Sequence, residues 1–405
     1  MSAVEYYRPA VGDVESLFKL EKLCFPSPWH IEEIRALVQT DLLLCTLAAF
    51  AGGEAVGYIS ATFSKPNTLH IISLCVHPDY RRRGIASSLC SHAVYWGRHM
   101  GACKVILEVR QGNSAARELY RGLRFYENGT LQDFYGENSH GVLLEKNVKP
   151  FGHLLNTSLF LYDRLRTIPK IGVILGSGLG WVTQPFGSGQ SIPFSDIPGM
   201  AGEAVEGHSH TLQTSENGDI VFVMGRRHLY QGYSGREIVL LPSALAALGV
   251  GTWVLTSSAG AVDTSYRVGD AMVFTDHINF SGCIPDLPAH SVAGGVYSGS
   301  LQAVAKRQMT GAHSGVFACV SGPAYETAAE VELIRKCGAS AVSMSTVQEA
   351  LALRSMGCKV LAMALITNAT DSGDSVCHDE VLSAQETVRA KQEGSLVQLL
   401  EGLLE

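Results

Sequence analysis

The chain has 405 residues, of which 46% are hydrophobic and 17% are charged. This length exceeds what one hydrophobic core ordinarily supports, so the composition predicts a globular protein of two or more domains. The net charge of −7 and a single dense basic cluster argue against a nucleic-acid-binding protein.

Membrane insertion and secretion are not indicated by the sequence either. No apolar run reaches the roughly 18 residues that a membrane span requires, and the first residues lack the basic flank of a secretory signal, so we expect a cytoplasmic protein. The 10 cysteines are scattered, with no C-x-x-C pair and no zinc spacing. This usage favours reduced thiols over disulfides, and we predict no metal.

The first 150 residues alternate between helical and strand periodicity. A basic turn, RRRGIA, leads from the third predicted strand into a long helix. Gly84 and Ala86 leave the first backbone N–H groups of that helix open, and the helix dipole together with the arginines favours an anion such as a pyrophosphate. The elements predicted before this turn are helices at 11–24 and 30–39 and strands at 42–50, 55–63 and 69–76.

The basic turn resembles the acyl-CoA turn of the GNAT N-acetyltransferases, with Arg81, Gly84 and Ala86 at the positions of its Q/RxxGxG/A motif. The segment LEVRQGNSAARELYRGLRFYENG continues the likeness, which covers nearly all of residues 3–147 and is greatest for the ribosomal-protein alanine N-acetyltransferases. The resemblance implies a GNAT mixed-sheet fold, acetyl-CoA as co-substrate and a ribosomal-protein N-terminus as acetyl acceptor. It also implies acetyl-CoA contacts at Val76, Arg81, Arg82, Arg83, Gly84, Ile85, Ala86 and Asn113.

Two further residues receive catalytic roles from the same resemblance. Glu108 falls at the general base, which would take a proton from the acceptor amine, and Tyr120 falls at the general acid, which would protonate the departing thiolate. The alternative is structural: Glu108 could be a strand carboxylate paired with an arginine, and Tyr120 a core aromatic residue. The loop DFYGENSHG is only partly similar to the tyrosine-rich, acidic loop of the ribosomal-protein enzymes.

The segment NVKPFG at 147–152 marks the join between two domains. Its proline and glycine separate the last strand pattern from a helical pattern that begins at residue 151. We therefore predict a GNAT domain at 1–149 and a second domain at 150–405.

The second domain begins with a strand and a glycine turn, KIGVILGSGLG. Gly176, Gly178 and Gly180 let the backbone approach an anion closely, and Ser177 adds a hydroxyl group. A dinucleotide site is the alternative, but no acidic residue ends a second strand about 20 residues later, as that site requires.

Arg226, His228 and Tyr230 alternate after the next apolar strand, so they are predicted to lie on one face. Arginine suits a bidentate grip on phosphate, whereas the alternative is an exposed strand end. His208 and His210 could imitate a metal site, but an H-x-H pair without a further ligand more often bonds to a loop.

Glu326 and Asn368 are the candidate readers of a base. A carboxylate accepts from neighbouring N–H groups and an amide both donates and accepts, so the pair can hold the edge of a 6-oxopurine. Adenine would leave buried groups unpaired at about 1–3 kcal/mol each. The alternative is a loop glutamate and a strand-end asparagine that acts as a cap. The helix that follows Glu326 is predicted to carry its apolar face on Ala329, Leu333, Ile334 and Cys337.

Eight motifs of the second domain occur in the order and approximate spacing of the trimeric purine nucleoside phosphorylases, over essentially residues 165–400. These motifs are GSGLG, GH, GRRHLYQGY, TSSAGA, GPAYET, SMSTVQE, LITN and CHDEVL. The resemblance implies a phosphorylase/hydrolase-like α/β fold with a central mixed sheet and a homotrimer. It also implies phosphorolysis of inosine, guanosine and their deoxy forms with inorganic phosphate, as in purine salvage.

The same resemblance assigns residues to three parts of the substrates. Asn368 would bond N7 of the departing base, and this contact would strengthen as the base gains electrons. An asparagine here, instead of the aspartate of the related methylthioadenosine phosphorylases, favours oxopurines over adenine. His228 falls beside the phosphate and the sugar. The implied sets are Ser177, His208, Arg226, Ser258 and Ser345 for phosphate, Tyr230, Met344 and His378 for ribose, and Tyr325, Glu326 and Asn368 for the purine.

Several supporting positions depart from the phosphorylase pattern. Gln231 stands in place of a glutamate, Ser257 of an asparagine and Gln348 of a proline, while Arg227 stands where an aromatic is usual. Because such residues hold the substrate-binding groups, a slow enzyme is one expectation. Two alternatives stay open: a degenerate acyl-CoA-binding first domain beside an active phosphorylase, and a non-catalytic purine and acyl-CoA sensor.

Overall fold

The computed structural model describes residues 4–39, 44–151, 154–202, 209–285, 287, 295–309, 311–369 and 384–404. The chain divides into two compact units, one chiefly Met1–Leu155 and the other chiefly the chain from Asn156 onward. The domain boundary at 149/150 stays a prediction. In the described ranges no helix has both the length and the apolar character of a membrane span.

The first unit is built on a seven-stranded mixed sheet. Its strand order is β1-β2-β3-β4-β5-β7-β6, and all neighbours are antiparallel except β4 and β5. The strands are β1 (Val4–Tyr7), β2 (Leu44–Ala51), β3 (Glu54–Lys65), β4 (Thr68–Val76), β5 (Lys104–Arg110), β6 (Tyr126–Leu131) and β7 (Gly141–Asn147). The helices are α1 (Val14–Cys24), α2 (Ile31–Leu37), α3 (Ile85–His99) and α4 (Ser114–Gly122).

The parallel strands β4 and β5 pair over a short stretch and then part. Their paired residues run from Thr68 with Lys104 to His70 with Ile106. Beyond that point β4 stays paired with β3, and β5 with β7. The parted strand ends therefore leave an opening in the sheet beside the start of α3.

Local sequence explains the helices of this unit. Helix α1 buries Val14, Leu17 and Leu20, which recur at helical spacing. Gly84 precedes α3 with φ 79°, a left-handed conformation that a residue with a side chain adopts only at a cost. The predicted basic turn thus ends where the helix begins.

The second unit contains a nine-stranded mixed sheet in the order β15-β14-β13-β16-β12-β8-β11-β10-β9. The strands are β8 (Ile171–Leu175), β9 (Ser191–Pro193), β10 (Thr211–Thr214), β11 (Ile220–Met224), β12 (Thr252–Ala261), β13 (Ala271–Asn279), β14 (His313–Cys319), β15 (Ala339–Ser343) and β16 (Lys359–Ala369). The helices are α5 (Leu154–Arg164), α6 (Gly235–Ile238), α7 (Leu240–Leu248), α8 (Gly299–Gln308), α9 (Ala328–Lys336), α10 (Val347–Ser355) and α11 (Gln385–Leu404). The predicted fold class, two α/β domains with mixed sheets, is confirmed.

Five strands of the second unit, β12 to β16, close on themselves. The register between β12 and β16 shifts at Ala259 and Gly260, which marks a bulge. After it, Gly260 pairs with Val342 and Ala261 with Ala341, so the end of β12 also contacts β15. Bulges bend and twist a strand, which explains how the end of β12, still paired with β16, also reaches β15. The closure gathers the carboxyl ends of β12, β15 and β16.

Helix α9 was predicted at the right place, but of the four residues predicted for its apolar face only Ile334 is buried. It buries Val331 and Ile334, whereas Leu333 is 57% exposed and both Ala329 and Cys337 are exposed. Because α9 packs on β15 through a narrow stripe, a helix with apolar residues on two faces can bury only one of them.

Candidate active sites

One cavity of the second unit is lined by most of the residues predicted to bind a nucleoside and phosphate. It lies where β8, β12, β15 and β16 end and where the segment before α9 passes over them. Its lining includes the predicted residues Ser177, Arg226, His228, Tyr230, Ser258, Tyr325, Glu326, Met344, Ser345 and Asn368. His208 and His378 lie outside the described residues.

Arg226 is the most firmly held side chain of this cavity. Its Nη1 donates to Ser345 Oγ at 2.8 Å and to Thr346 Oγ1 at 3.0 Å, and its Nη2 donates to the Thr256 carbonyl at 2.9 Å. Its Nε lies 3.4 Å from a carboxylate oxygen of Glu349, and both side chains are almost fully buried. This arrangement fixes a positive charge at the cavity wall.

Thr346 holds Arg226 from a backbone conformation that is unusual for its residue type. Its φ is 81°, and the residue is fully buried. A left-handed conformation is a genuine outlier for a β-branched residue, and its cost is accepted when the surrounding structure requires it. Here it turns the hydroxyl group toward the guanidinium at the start of α10.

His228 lies next to Arg226 on the same wall. Its ring stacks on Tyr230 with centroids 4.8 Å apart and planes 18° apart. Burial, followed by the nearby Arg226 charge, lowers the pKa of His228 to about 4. The imidazole is therefore neutral at pH 7 and can donate or accept a hydrogen bond without adding a second positive charge.

The cavity lining also includes the predicted carboxylate, Glu326, and the predicted amide, Asn368. Burial is the main cause that raises the pKa of Glu326, and the neighbouring Glu330 raises it further. Asn368 ends the apolar run of β16 opposite Gly260, just past the bulge, and Thr367 Oγ1 donates to Asn368 Oδ1 at 3.3 Å. A cationic and an anionic side chain thus line one cavity.

Gln385 supports this site without having been predicted from the sequence. Its Nε2 donates to Ser258 Oγ at 3.2 Å, and Ser258 Oγ lies 3.4 Å from the Ser177 carbonyl. A Cβ atom at Gly178 would approach the Gln385 side chain to 2.5 Å, so the glycine also makes room for it. The first residue of α11 thereby contacts both the turn after β8 and the end of β12.

Three positions that depart from the expected pattern have identifiable roles. Gln231 Oε1 accepts from the His228 backbone N–H at 2.9 Å. Gln348 Nε2 donates to Ser281 Oγ at 2.9 Å. Arg227 Nη2 donates to the Gly199 and Ala201 carbonyls at 2.8 and 3.0 Å. Among the described residues, the buried Ser257 Oγ has no hydrogen-bond partner, and nothing in the structure explains that substitution.

A second cavity, of about 670 Å³, lies in the first unit beside the parted ends of β4 and β5. Its volume is in the range of cofactor sites. Of the predicted residues, Val76, Arg81, Arg82, Gly84, Ile85, Ala86, Asn113 and Tyr120 line it. Arg83 instead donates to the Asp79 carbonyl at 2.8 Å and lies over the Tyr80 ring. Asn113 also caps α4, because its Oδ1 accepts from the Ala116 N–H at 3.1 Å.

The two predicted catalytic residues of the first unit differ in their surroundings. Tyr120 is 6% exposed and faces the cavity, and burial raises its pKa well above the usual range. Glu108 lies outside the cavity lining and is paired with His70, not with an arginine: Oε2 is 2.6 Å from His70 Nε2. Burial raises the pKa of Tyr135, in the loop DFYGENSHG, and the nearby charge of Glu108 raises it further.

No group of three or more His, Cys, Asp or Glu side chains is placed to hold a metal ion within the described ranges. His208, one of the two histidines that resembled such a site in the sequence, is not among those residues.

Comparison with known proteins gives a family for each unit. Residues 170–401 match the family model of the phosphorylase superfamily, and residues 14–125 match that of the acetyltransferase (GNAT) family. Purine nucleoside phosphorylase 1 of Bacillus subtilis is 36% identical over 247 residues, which are 57% of this chain and 91% of the relative. The purine nucleoside phosphorylase of Bos taurus is 33% identical over 261 residues, covering 59% of this chain and 90% of the relative.

Proposed function

Because the chain belongs to the phosphorylase superfamily and carries a GNAT domain before its phosphorylase domain, we propose that it is a bifunctional enzyme. The second unit would cleave 6-oxopurine ribonucleosides and deoxyribonucleosides with inorganic phosphate, releasing the base and (deoxy)ribose 1-phosphate. The first unit would transfer an acetyl group from acetyl-CoA to a protein N-terminus.

The observation that carries the phosphorylase proposal is the shared cavity. Arg226, Glu326, Met344 and Asn368 come from segments far apart in the chain, yet all line it. A fixed guanidinium beside glycine turns suits an oxyanion, and a carboxylate with an amide suits an oxopurine edge. Met344 and Tyr230 line the same cavity, and by the resemblance they would contact the pentose.

The proposed reaction needs charge stabilisation at both ends of the sugar. Phosphate held by Arg226, Ser258 and Ser345 attacks the anomeric carbon as the bond from that carbon to the purine nitrogen breaks. Its negative charge stabilises the oxocarbenium-like sugar, while the bond electrons move into the base. Asn368 would donate to N7 of the base, and this hydrogen bond strengthens as N7 gains electron density.

Base selection would rest on which hydrogen-bonding groups face the carboxylate. A 6-oxopurine presents an N–H group to Glu326, whereas adenine presents a ring acceptor there. The pKa of Glu326 is raised by burial, so an N–H donor from the base would compensate its ionised form. We therefore propose inosine and guanosine as preferred substrates over adenosine.

The acetyltransferase proposal is supported by the cavity at the end of β4, which Tyr120 lines, and by Glu108 on β5, which is paired with His70 of β4. Glu108 would accept a proton from the acceptor ammonium, and the amine nitrogen would then form a bond to the thioester carbonyl carbon. When the C–S bond breaks, the thiolate would take the Tyr120 hydroxyl proton. A ribosomal-protein N-terminus is the proposed acceptor, and a cytoplasmic homotrimer is the proposed assembly.

Inosine and phosphate given to the purified full-length chain test the phosphorylase proposal. Hypoxanthine should appear only with phosphate, and Glu326→Ala should lower kcat/KM for inosine by about 10²-fold or more, because the base loses its acceptor. Asn368→Asp should shift preference toward adenosine, since a carboxylate accepts from the adenine amino group.

The exposed Asn217, at a turn of the same unit, supplies the matched control Asn217→Asp. This variant should keep the wild-type preference. Inosine binding without hypoxanthine release would instead favour a purine sensor. Equal selectivity of wild type and Asn368→Asp would contradict the base assignment.

A further inference from the structure

His70 contacts the predicted general base Glu108 but has itself been given no role so far. The heavy atoms of this contact are 2.6 Å apart, and the His70 and Glu108 side chains are 24% and 17% exposed. Such a short, mostly buried hydrogen bond between a ring nitrogen and a carboxylate is among the strong ones.

Strand geometry explains why these two side chains meet. His70 is paired with Ile106 across the parallel strands β4 and β5, at the end of their paired stretch. Glu108 lies two residues beyond Ile106, so it shares the face of its strand with Ile106 and, through the register, with His70. The His70 ring therefore spans the gap at the point where the strands separate.

The chemistry of the two side chains determines which of them donates and which accepts the hydrogen bond. A carboxylate only accepts, so an ionised Glu108 requires the proton on His70 Nε2. With Oε2 engaged in this way, Oε1 keeps lone pairs for an incoming ammonium group. At Glu108, strand β5 is no longer paired with β4, although it stays paired with β7. The His70 ring therefore restricts the rotation of the glutamate side chain on that side.

We propose that His70 is a positioning residue for acetyl transfer, holding Glu108 across the mouth of the strand gap so that Oε1 faces the acceptor amine. This inference rests on the proposed acetyltransferase function. Tyr135, from the loop after β6, has a pKa that is raised by burial and then by the charge of Glu108. The acceptor would enter between that loop and the gap, where it meets a carboxylate that is already oriented.

His70→Ala tests the proposal in the full-length chain, with acetyl-CoA and an alanine-initiated peptide as substrates. We expect kcat to fall roughly 10- to 100-fold, as when one charge-assisted hydrogen bond is lost, while KM for acetyl-CoA is unchanged. His70→Gln, whose side-chain N–H group can replace the ring donor, should recover most of the loss. The control His30→Ala removes an exposed histidine at the start of α2 and should keep wild-type kcat.

A double-mutant cycle with Glu108→Gln separates positioning from a structural role. If His70 acts through Glu108, then adding His70→Ala to Glu108→Gln should lower kcat no further. Thermal unfolding midpoints of all variants, measured with acetyl-CoA bound, report whether each one folds and binds the cofactor.

The possible failures are distinguishable. An active wild type with His70→Ala within twofold of it, or additive losses in the cycle, would overturn the role of His70 alone. A wild type that binds acetyl-CoA but acetylates no peptide would overturn the acetyltransferase proposal and this inference with it.

Discussion

The key side chain of each site is held in a different way. In the phosphorylase unit, the guanidinium of Arg226 meets Ser345, Thr346, the Thr256 carbonyl and Glu349 at once. In the acetyltransferase unit, Glu108 is held across a gap between parted strands by His70. Several contacts hold Arg226 at the site of the second unit, an arrangement that we call over-determined. At the site of the first unit, a single contact holds Glu108.

This difference follows from the two sheets. Closure of five strands in the second unit brings several loops to the same cavity, so one side chain can be held from several directions. Parting of two strands in the first unit opens the sheet but removes the neighbour on one side of each strand. We infer that removing a central group should be costly in both sites, while removing a supporting group should be costly mainly in the first unit.

The largest effect is expected at the centre of the phosphorylase site. Arg226→Ala should lower kcat/KM for inosine phosphorolysis by roughly 10³-fold, because it removes the fixed charge beside phosphate. Steady-state kinetics with varied phosphate would measure it. The double variant Arg226→Ala with Glu349→Gln avoids leaving the buried Glu349 carboxylate without its ion-pair partner. The variant Arg307→Ala, at an exposed arginine, is the control. A loss of kcat/KM below tenfold would contradict the assignment of Arg226 to phosphate binding.

A central group of the acetyltransferase site comes next. Tyr120→Phe should reduce acetyl transfer about 10²-fold, since the thiolate loses its proton donor, and should leave acetyl-CoA affinity unchanged because the ring remains. Single-turnover rates and calorimetric titration separate the two quantities. Tyr126→Phe, at a residue 46% exposed on β6, is the matched control. Equal rates for Tyr120→Phe and wild type would leave Tyr120 as a packing residue.

A supporting group of the phosphorylase site should matter less. Thr346→Ala removes one of several contacts to Arg226, so kcat/KM for inosine should fall less than tenfold. Thr346→Ser keeps the hydroxyl group and should have wild-type kinetics. If Thr346→Ala were as damaging as Arg226→Ala, the over-determined arrangement inferred for this site would be wrong.

The smallest effect concerns acid stability. The folded pKa of His228, about 4, lies below the usual 6.5, so between these pH values the unfolded chain binds more protons at this residue than the folded chain. The free energy of unfolding should therefore fall as pH decreases through this window. His228→Gln should weaken that dependence in urea titrations at pH 4, 5, 6 and 7. An identical pH dependence in the variant would show that His228 does not set it.

Sequence patterns determined those features that depend on neighbouring residues. Helical and alternating periodicity placed α1, α2 and strands β2, β3 and β4 within a few residues, whereas the short strand β1 was missed, since each pattern is a property of a segment long enough to show it. Glycine turns at Gly84 and Gly178 could be predicted because few other residues adopt their backbone conformations. The residues at such turns were also those singled out for anions.

The tertiary structure decided which distant residues meet. The bulge at Ala259 and Gly260 closes the strands, and no local pattern announces it. Contacts of His70 with Glu108 and of Gln385 with Ser258 join side chains 38 and 127 residues apart. Leu333 is exposed although its spacing is helical and apolar, because only one face of α9 finds a strand to cover it. Register, bulges and the choice of a buried face depend on the partner segment, and a single segment carries no information about its partner.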